Sequence, residues 1–443
     1  MTTTQSTPHS PASRLRIGII GGGIGGVALA VALARHHDLD VHLFEAAERF
    51  SEIGAGVSLG PNAVRAISRL GLEDAYRHIA DASPAPFEDV WFEWRRGRDD
   101  AYLTASLAPG VGQSSVHRAD FLDAIVAHLP EGIAHFGKRC HEVTQDGEGV
   151  SVRFEDGSTF QGDILIGYDG IKSSVREHVL PVEEFGAFAP RWSGTQAYRG
   201  LVPVERLCQA MREAGVDERL AVVPQMYLGE DRHILTFPVK QATLINVVAF
   251  VTDRSSPEPR LPEGASWVAE VDRQAMLDDF LGWGAASGAI LGCIDHPTRW
   301  ALHELPELPR YARGQVLIAG DAAHAMLPHQ GAGAGQALED AYVLASLLGD
   351  PDCRRGNVAA LLAAFEAVRH ARTCRVQATS REAGDVYEYA APGIGADEPS
   401  LIPELERRFG WLWHHDPRDD AAEARRRLGW SAAMADEEAV PSA

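Results

Sequence analysis

Cysteine is scarce: Cys140, Cys208, Cys293, Cys353 and Cys374 are scattered through 443 residues without a CxxC or any paired spacing. That excludes a disulfide framework and a cysteine-held metal, so no metal site is expected, and it suits reduced thiols in a cytoplasm. No apolar run reaches membrane-spanning length. Residues 1 to 13 are polar and lack the apolar core of a signal peptide, so a soluble intracellular protein with a flexible first segment is expected. Positive charge is also in deficit. Lys+Arg number 41 against 62 Asp+Glu, a net charge of -21, and no lysine- or arginine-rich run offsets it. Nucleic acid and anionic membranes are thereby excluded as partners, whereas anionic small molecules remain possible where local arginines reverse the field. There is no internal repeat. What is present is an ordinary 45% apolar content in a chain longer than a usual single core, which points to two lobes or an enlarged α/β domain.

Leu15 to Ile20 has the pattern of a buried strand, followed at once by GGGIGG and an alanine-rich apolar helix to about Arg35. Gly21, Gly23 and Gly26 occupy the GxGxxG positions. A second strand, Val41 to Phe44, closes on Glu45, where an acid can bind a ribose hydroxyl. A lone GxGxxG is weak evidence and can be a plain structural turn; here the strand, the helix and the terminal acid accompany it. Glutamate at that point leaves no obvious 2′-phosphate site, which suits either FAD or NAD.

A second glycine-bearing loop, IGAGVSLGPNA, includes Val57 and precedes a short helix ending at Gly71. Residues 86 to 107 alternate aromatic and polar residues and read as sheet. Val116 to Leu129 is an amphipathic helix with Arg118 in its first turn. A cation is electrostatically disfavoured there, so Arg118 either serves an anion or is a surface charge. Residues 139 to 167 read as a hairpin and a buried strand, after which Asp169 and Gly170 introduce a helix with Ser173, Ser174 and Arg176. The stretch 195 to 252 changes to antiparallel strands with one face covered, the pattern of an inserted second lobe. A proline-rich connection at 253 to 264 leads to helical segments up to about 294. A long helix over 357 to 383 and a mixed tail with a polar end complete the chain.

Between these lies VLIAGDAAHAMLPHQGAGAGQALEDA, residues 316 to 341. It reads as a short strand, an acidic turn at Gly320 and Asp321, a loop with Pro328 and His329, and glycines 331, 333 and 335 opening a helix. Glycines at a helix start allow backbone N–H groups to approach an electron-rich ligand closely. Taken alone, the loop could equally be a glycine-rich connection with no ligand. However, the ligand-like loops are spread over more than 300 residues around a single dinucleotide fingerprint, so a ligand touching them all must be long.

The combination of GGGIGG with Glu45, YDGIKSSVR at 168 to 176 and GDAAHAMLPHQGAGAGQALEDA resembles the single-component aromatic-ring flavin monooxygenases over essentially residues 14 to 390. PHQGAGAGQ, the strands LTFPV and INVVAF, and GWLWHHD at 410 to 416 most resemble the bacterial salicylate hydroxylases. The resemblance implies an α/β (mixed α+β) fold. A Rossmann-like FAD-binding domain would be built from 14–190, with a β-rich excursion at 86–107, and from 301–350. An antiparallel-sheet substrate domain at 191–300 would be inserted between these parts, and 351–443 would form a C-terminal helix and tail. It also implies FAD as cofactor, contacted by Gly21, Gly23, Gly26, Glu45, Val57, Arg118, Asp169, Gly170, Asp321, Gly331, Gly333, Ala334 and Gly335. NADH would bind transiently as co-substrate, since no second GxGxxG exists to hold it. The implied cycle passes hydride from NADH to FAD, activates O2 on the reduced flavin and transfers one oxygen atom to a small aromatic acid, with water excluded. One departure is Tyr168, where the family pattern more often has alanine.

For salicylate, hydroxylation at the carboxylate-bearing carbon releases carbon dioxide and yields catechol, and ionising the neighbouring phenol activates that carbon. His329 is the candidate base, with His324 in the GDAAH turn as a rival of more structural character. Arg254, then Arg199, are candidates for the substrate carboxylate; either could be a solvated strand-end residue. Met226, Tyr227 and Pro328 are candidate pocket residues. A monooxygenase for another hydroxy- or amino-aromatic acid, a flavoprotein dehydrogenase or oxidase, and a non-catalytic flavin-binding module are the competing readings, and a monomer or a homodimer is compatible with the chain.

Overall fold

The computed structural model describes residues 14–51, 56–147, 149–181 and 185–431. The expected first segment at 1–13, the opening of the second glycine loop and the polar C-terminal end lie outside them. Two sheets organise the molecule. The first has six strands in the order Ala312–Arg313, Val316–Ile318, Ile164–Gly167, Leu15–Ile20, Leu39–Phe44 and Ala134–His135. Every neighbouring pair is parallel except the outermost, Ala312–Arg313 with Val316–Ile318. Helices and loops cover both faces, so its central strands are nearly continuous apolar runs rather than alternating ones. The helix Ile24–Leu33 is buried at all ten positions and packs against the helix Gly333–Leu348, which explains why it is apolar all round.

Parallel strands deliver their carboxyl ends to one edge. Here that edge receives Gly21 after Ile20, Glu45 after Phe44, Asp169 shortly after Gly167, and Gly320 with Asp321 after Ile318. Four turns far apart in sequence thus meet because their strands are neighbours, at the place where open α/β sheets bind ligands.

The second sheet has eight strands in the order Val268–Glu270, Thr298–Glu304, Arg191–Pro203, Leu244–Thr252, Arg232–Val239, Gln225–Gly229, Val90–Arg96 and Tyr102–Leu107. Strands from 90–107 therefore complete the sheet formed by 191–304, through a parallel pairing of Val90–Arg96 with Gln225–Gly229. Side chains alternate between its faces. Met226, Leu228, Leu235, Phe237, Val248 and Phe250 belong to the core shared with the C-terminal helices. Tyr227, Ile234, Ile245, Val247 and Ala249 belong to a separate core against the helices Val204–Glu213 and Ala285–Gly292. Among the described residues no helix is long and apolar enough to cross a membrane.

The long helix Val358–Tyr387 runs four residues beyond the expected end at 383. It carries Arg369, which is fully buried and bonded to three carboxylates. Its Nε donates to Asp340 Oδ1 at 2.7 Å, and its Nη1 donates to Glu339 Oε2 and Asp420 Oδ2, each at 2.8 Å. Asp340 Oδ2 in turn accepts from the Gly320 N–H at 3.0 Å and sits 2.6 Å from His324 Nε2. Burial alone would raise the Glu339 carboxyl, but Arg369 and Arg372 outweigh it and hold Glu339 well below the usual carboxylate range.

Replacing Arg369 by methionine, which keeps most of the volume, removes the guanidinium shared by Glu339 and Asp340 and leaves Glu339 to Arg372 and Asp340 to His324. A loss of about 3–5 kcal/mol in urea unfolding is expected, with Arg369→Lys intermediate because it cannot reach all its partners at once.

Candidate active site

A cavity of about 670 Å³ lies between the carboxyl edge of the parallel sheet and the apolar face of the large sheet. Gly21, Gly23, Gly26, Glu45, Val57, Arg118, Asp169, Gly170, Asp321, Gly331, Gly333 and Ala334 line it, as do Arg199, Met226, Pro328 and His329. These residues come from eight separated stretches of chain, 21–26, 45, 57, 118, 169–170, 199, 226 and 321–334. Three of the sequence candidates are elsewhere. Gly335 faces away, because one residue along a helix turns the side chain by about 100°; a Cβ there would sit 2.9 Å from Ala63 Cβ, so its smallness serves helix packing. Tyr227 points to the opposite face of its strand, as the period of two requires of a neighbour of Met226, and is buried in the outer core. Arg254 lines an adjoining cavity instead, and its guanidinium is engaged by Asp231 at 2.9 Å and by Asp385 and Glu388 at 2.7 Å.

The glycine cradle fits a dinucleotide. Gly21 has φ +111° and any Cβ would lie 2.3 Å from the Tyr168 carbonyl oxygen, so only glycine keeps the turn this close to the next strand. Gly26 is as constrained, 2.1 Å from the Gly21 carbonyl oxygen. Neither Gly23 before the helix Ile24–Leu33 nor Ala332 before Gly333–Leu348 provides a side-chain cap, so the first-turn N–H groups of both helices are left to an anion. Glu45 folds onto the same turn: Oε2 accepts from Gly22 N–H and Oε1 from Ala47 N–H, both at 2.7 Å. Asp169 accepts from Ser173 Oγ at 2.6 Å and from Ser174 N–H at 2.7 Å, which fixes the turn holding Gly170 at the cavity. The departure at Tyr168 has a local answer: its ring lies where a Cβ on Gly25 or Gly320 would be, 2.7 and 3.0 Å away, so two glycines make room for it.

On the large-sheet side the wall is apolar, built from Met226, Leu235, Phe237, Val248 and Phe250 with Trp91 and Tyr387. Polar groups there are few. Asn246 accepts from Gly56 N–H at 3.0 Å and leaves its Nδ2 buried without a partner. Arg199 stacks its guanidinium 4.6 Å over Trp300, and its Nε is buried and unpartnered. Burial and the neighbouring Arg118 bring Arg199 down to about 10, which leaves it charged near neutrality. His329 is 5% exposed and its Nδ1 has no partner. Burial first, and then His233, push it down to about 3, so it is a neutral imidazole at neutral pH. His324, by contrast, is bonded to Asp340 and does not line the cavity.

A model of an FAD binding domain matches residues 14–190 and 289–380. A salicylate hydroxylase of Pseudomonas putida is 60% identical over 94% of this chain and 96% of its own length. The chain belongs to the salicylate hydroxylase family of FAD-dependent aromatic monooxygenases. A 6-methylsalicylate 1-monooxygenase of Aspergillus terreus is 39% identical over 91% of this chain and 90% of its own. Among solved structures, a salicylate hydroxylase substrate complex superposes with a TM-score of 0.88 at 49% identity, covering 93% of this chain and 98% of that one. Klebsiella pneumoniae HpxO complexed with FAD and uric acid gives 0.69 at 25% identity over 94% and 97%. FAD is therefore this chain's cofactor, and the glycine cradle and uncapped helix starts fit it.

Several residues at or behind the cavity wall escape sequence reasoning: Asn246, Trp91, Trp267 and Trp300, which line it, and His233, which is buried behind His329. The signal for Asn246 and His233 exists, since each is the lone strongly polar side chain on its strand's cavity face (Asn246, Val248, Phe250; His233, Leu235, Phe237). The tryptophans carry none.

The neutral state of His329 has a consequence for stability. Between pH 3 and the ordinary histidine value of 6.5 the unfolded chain binds a proton that the folded site refuses, so His329 makes stability fall as pH drops through that window. In urea unfolding at pH 7 and pH 5, His329→Asn is expected to lose less stability on acidification than the wild type, by up to about 1.4 kcal/mol per pH unit.

Proposed function

We propose that this chain is a cytoplasmic, FAD-dependent and NADH-consuming salicylate hydroxylase that converts salicylate, NADH and O2 to catechol and carbon dioxide. The observation that carries the reading is 60% identity to a salicylate hydroxylase along nearly the whole chain, joined to a cavity that pairs a dinucleotide cradle with an apolar chamber. Bound FAD supplies the reduction by NADH and the activation of oxygen. The protein supplies the rest.

On this reading the cradle of Gly21, Gly23 and Gly26, with Glu45, Arg118, Asp169, Gly170 and Asp321, holds the adenosine and pyrophosphate side of the cofactor. The amides at Gly331, Gly333 and Ala334 face its ring, where helix-start N–H groups stabilise negative charge. Val57 and Pro328, which line the same cavity, would hold the ring in place. The apolar face of the large sheet keeps water out. His329, neutral and unpartnered at Nδ1, accepts the phenol proton, which raises electron density at the carboxylate-bearing carbon. The substrate carboxylate needs a cation inside the cavity. Arg199 has a buried unpartnered Nε, whereas Arg254 is already shared among three carboxylates outside it, so the order of the two candidates is reversed.

The test is NADH oxidation by the yellow purified protein with and without salicylate; catechol and carbon dioxide formed one for one with NADH support the reading, and oxidation indifferent to salicylate overturns it. His329→Ala is expected to lower kcat by about 10²–10⁴-fold and to flatten its pH profile; an unchanged rate and profile removes it from the mechanism. Arg199→Met is expected to raise the salicylate KM by about 10–100-fold, the worth of one charge-assisted hydrogen bond, with Arg254→Met as the comparison.

A further inference from the structure

His329 lies on the wall of two cavities at once. One is the substrate chamber. The other adjoins it, between the loop at 257–261 and the end of the long helix, and is lined by Arg254, Glu304, Arg381, Gly384, Asp385 and Glu388 besides His329. A side chain on Gly384 would come within 2.8 Å of His329 Nε2, so glycine at that point of the helix is what lets the ring sit between the two spaces.

Behind the ring stands a buried charge chain. His233 is fully buried, with Nδ1 3.0 Å from Glu388 Oε1, and Glu388, 1% exposed, accepts from Arg254 Nη2 at 2.7 Å through its other oxygen. A carboxylate on Nδ1 fixes the tautomer with the hydrogen there, which leaves Nε2 of His233 as an acceptor. That Nε2 is buried and has no partner. Stacking on Phe250, 4.2 Å away and within 10° of parallel, fixes the plane of the His233 ring, and its centre lies 5.2 Å from that of His329. Two neighbouring imidazoles thus each carry an orphan nitrogen, an arrangement costly to fold and therefore informative. The charged or titratable groups bearing on His329 are His233, Glu388, Arg254 and Arg408, with Asp385, Glu304 and Arg381 across the second cavity.

A base in a chamber that must exclude water has to be relieved of its proton in every turnover. We propose that the second cavity is the proton exit of the reaction, and that His233 and Glu388, tied down by Arg254, are positioning residues that hold His329 so that the proton it takes leaves on that side. The proposal rests on the reading of His329 as the base. Its balance is simple: the substrate O–H bond breaks, an N–H bond forms on His329, and the proton passes to water in the second cavity, with no change of oxidation state. The Glu388 carboxylate behind His233 stabilises the imidazolium while it exists.

The experiment mixes FAD-loaded enzyme with salicylate in weak buffer containing a pH indicator, with binding read from the flavin absorbance. Glu388→Gln and His233→Asn are expected to slow proton release at least tenfold while FAD content and salicylate Kd stay within twofold, with partial rescue by added imidazole. Leu261→Trp, which narrows the second cavity without touching a buried charge, is expected to slow release by a similar factor, and it decides the matter alone if the buried variants fail to hold FAD. Release at the wild-type rate in Leu261→Trp overturns the exit. If His329→Ala alone abolishes release, the base stands and the exit falls; if the wild type releases no proton, or His329→Ala releases it at the normal rate, the base falls and the exit with it.

Discussion

The buried guanidinium of Arg369 is the interaction on which the cofactor side of the molecule depends. Through Asp340 it reaches the Gly320 N–H and His324, and so fixes the turn that presents Asp321; through Glu339 and the Gln336 side chain it fixes the first turns of the helix whose start faces the cavity. Glu339 also accepts from Asn62 at 2.7 Å, which draws in the helix behind the second glycine loop, and Asp420 brings the C-terminal helix Pro417–Leu428 to the same point. Buried ion pairs add little to stability compared with an apolar core of equal volume, because desolvation offsets the attraction. Their value here is geometric. A guanidinium with partners in fixed directions sets the relative positions of four elements more tightly than apolar contacts do.

A chain with a net charge of -21 must still bind an anionic dinucleotide and an anionic aromatic acid. It does so by local inversion. Arg118, Lys138, Arg139, Lys172 and Arg199 all line the one cavity, and two helix starts add partial positive charge. Lys172 and Arg199 are each held over a tryptophan ring, Trp267 and Trp300, so these cations are oriented without a carboxylate that would neutralise them. Arg254 shows the contrast: an arginine surrounded by three carboxylates adds structure and almost no field.

What could be read from the sequence was whatever is enforced locally. The GxGxxG turn is legible because a close backbone approach admits few residue types, and Glu45 because it ends the strand beside that turn and folds back onto it. The opposite fates of Met226 and Tyr227 follow from strand period, yet the choice of face depends on which neighbour covers the sheet, a tertiary fact. The pairing of 90–107 with 225–229 links strands about 130 residues apart in the chain, and no local pattern announces it. The surroundings of Arg254 are hidden for a related reason: an arginine after a strand looks available until Asp231, Asp385 and Glu388 are brought to it by other elements. His233 and Asn246 were within reach, since a histidine or an amide in the middle of an apolar strand is costly to bury and asks for a purpose.

The low proton affinity of His329 bears on how the proposed site would distinguish its substrate from other aromatics. A ring held down to about 3 is a poor base. Burial is the first cause and His233 the second, with Glu388 acting against them; on the proposed reading, a substrate carboxylate brought into the chamber adds negative charge that raises the proton affinity of the imidazole as the phenol loses its proton. Glu388 is already an anion one ring away, held below the usual carboxylate range because His233 and its other hydrogen-bond partners outweigh the burial that would raise it. On the proposed reading of His329 as the base, a neutral phenol within the same apolar walls meets a histidine whose burial keeps its proton affinity low, so a hydroxy-acid is favoured by the charge it carries as well as by its shape.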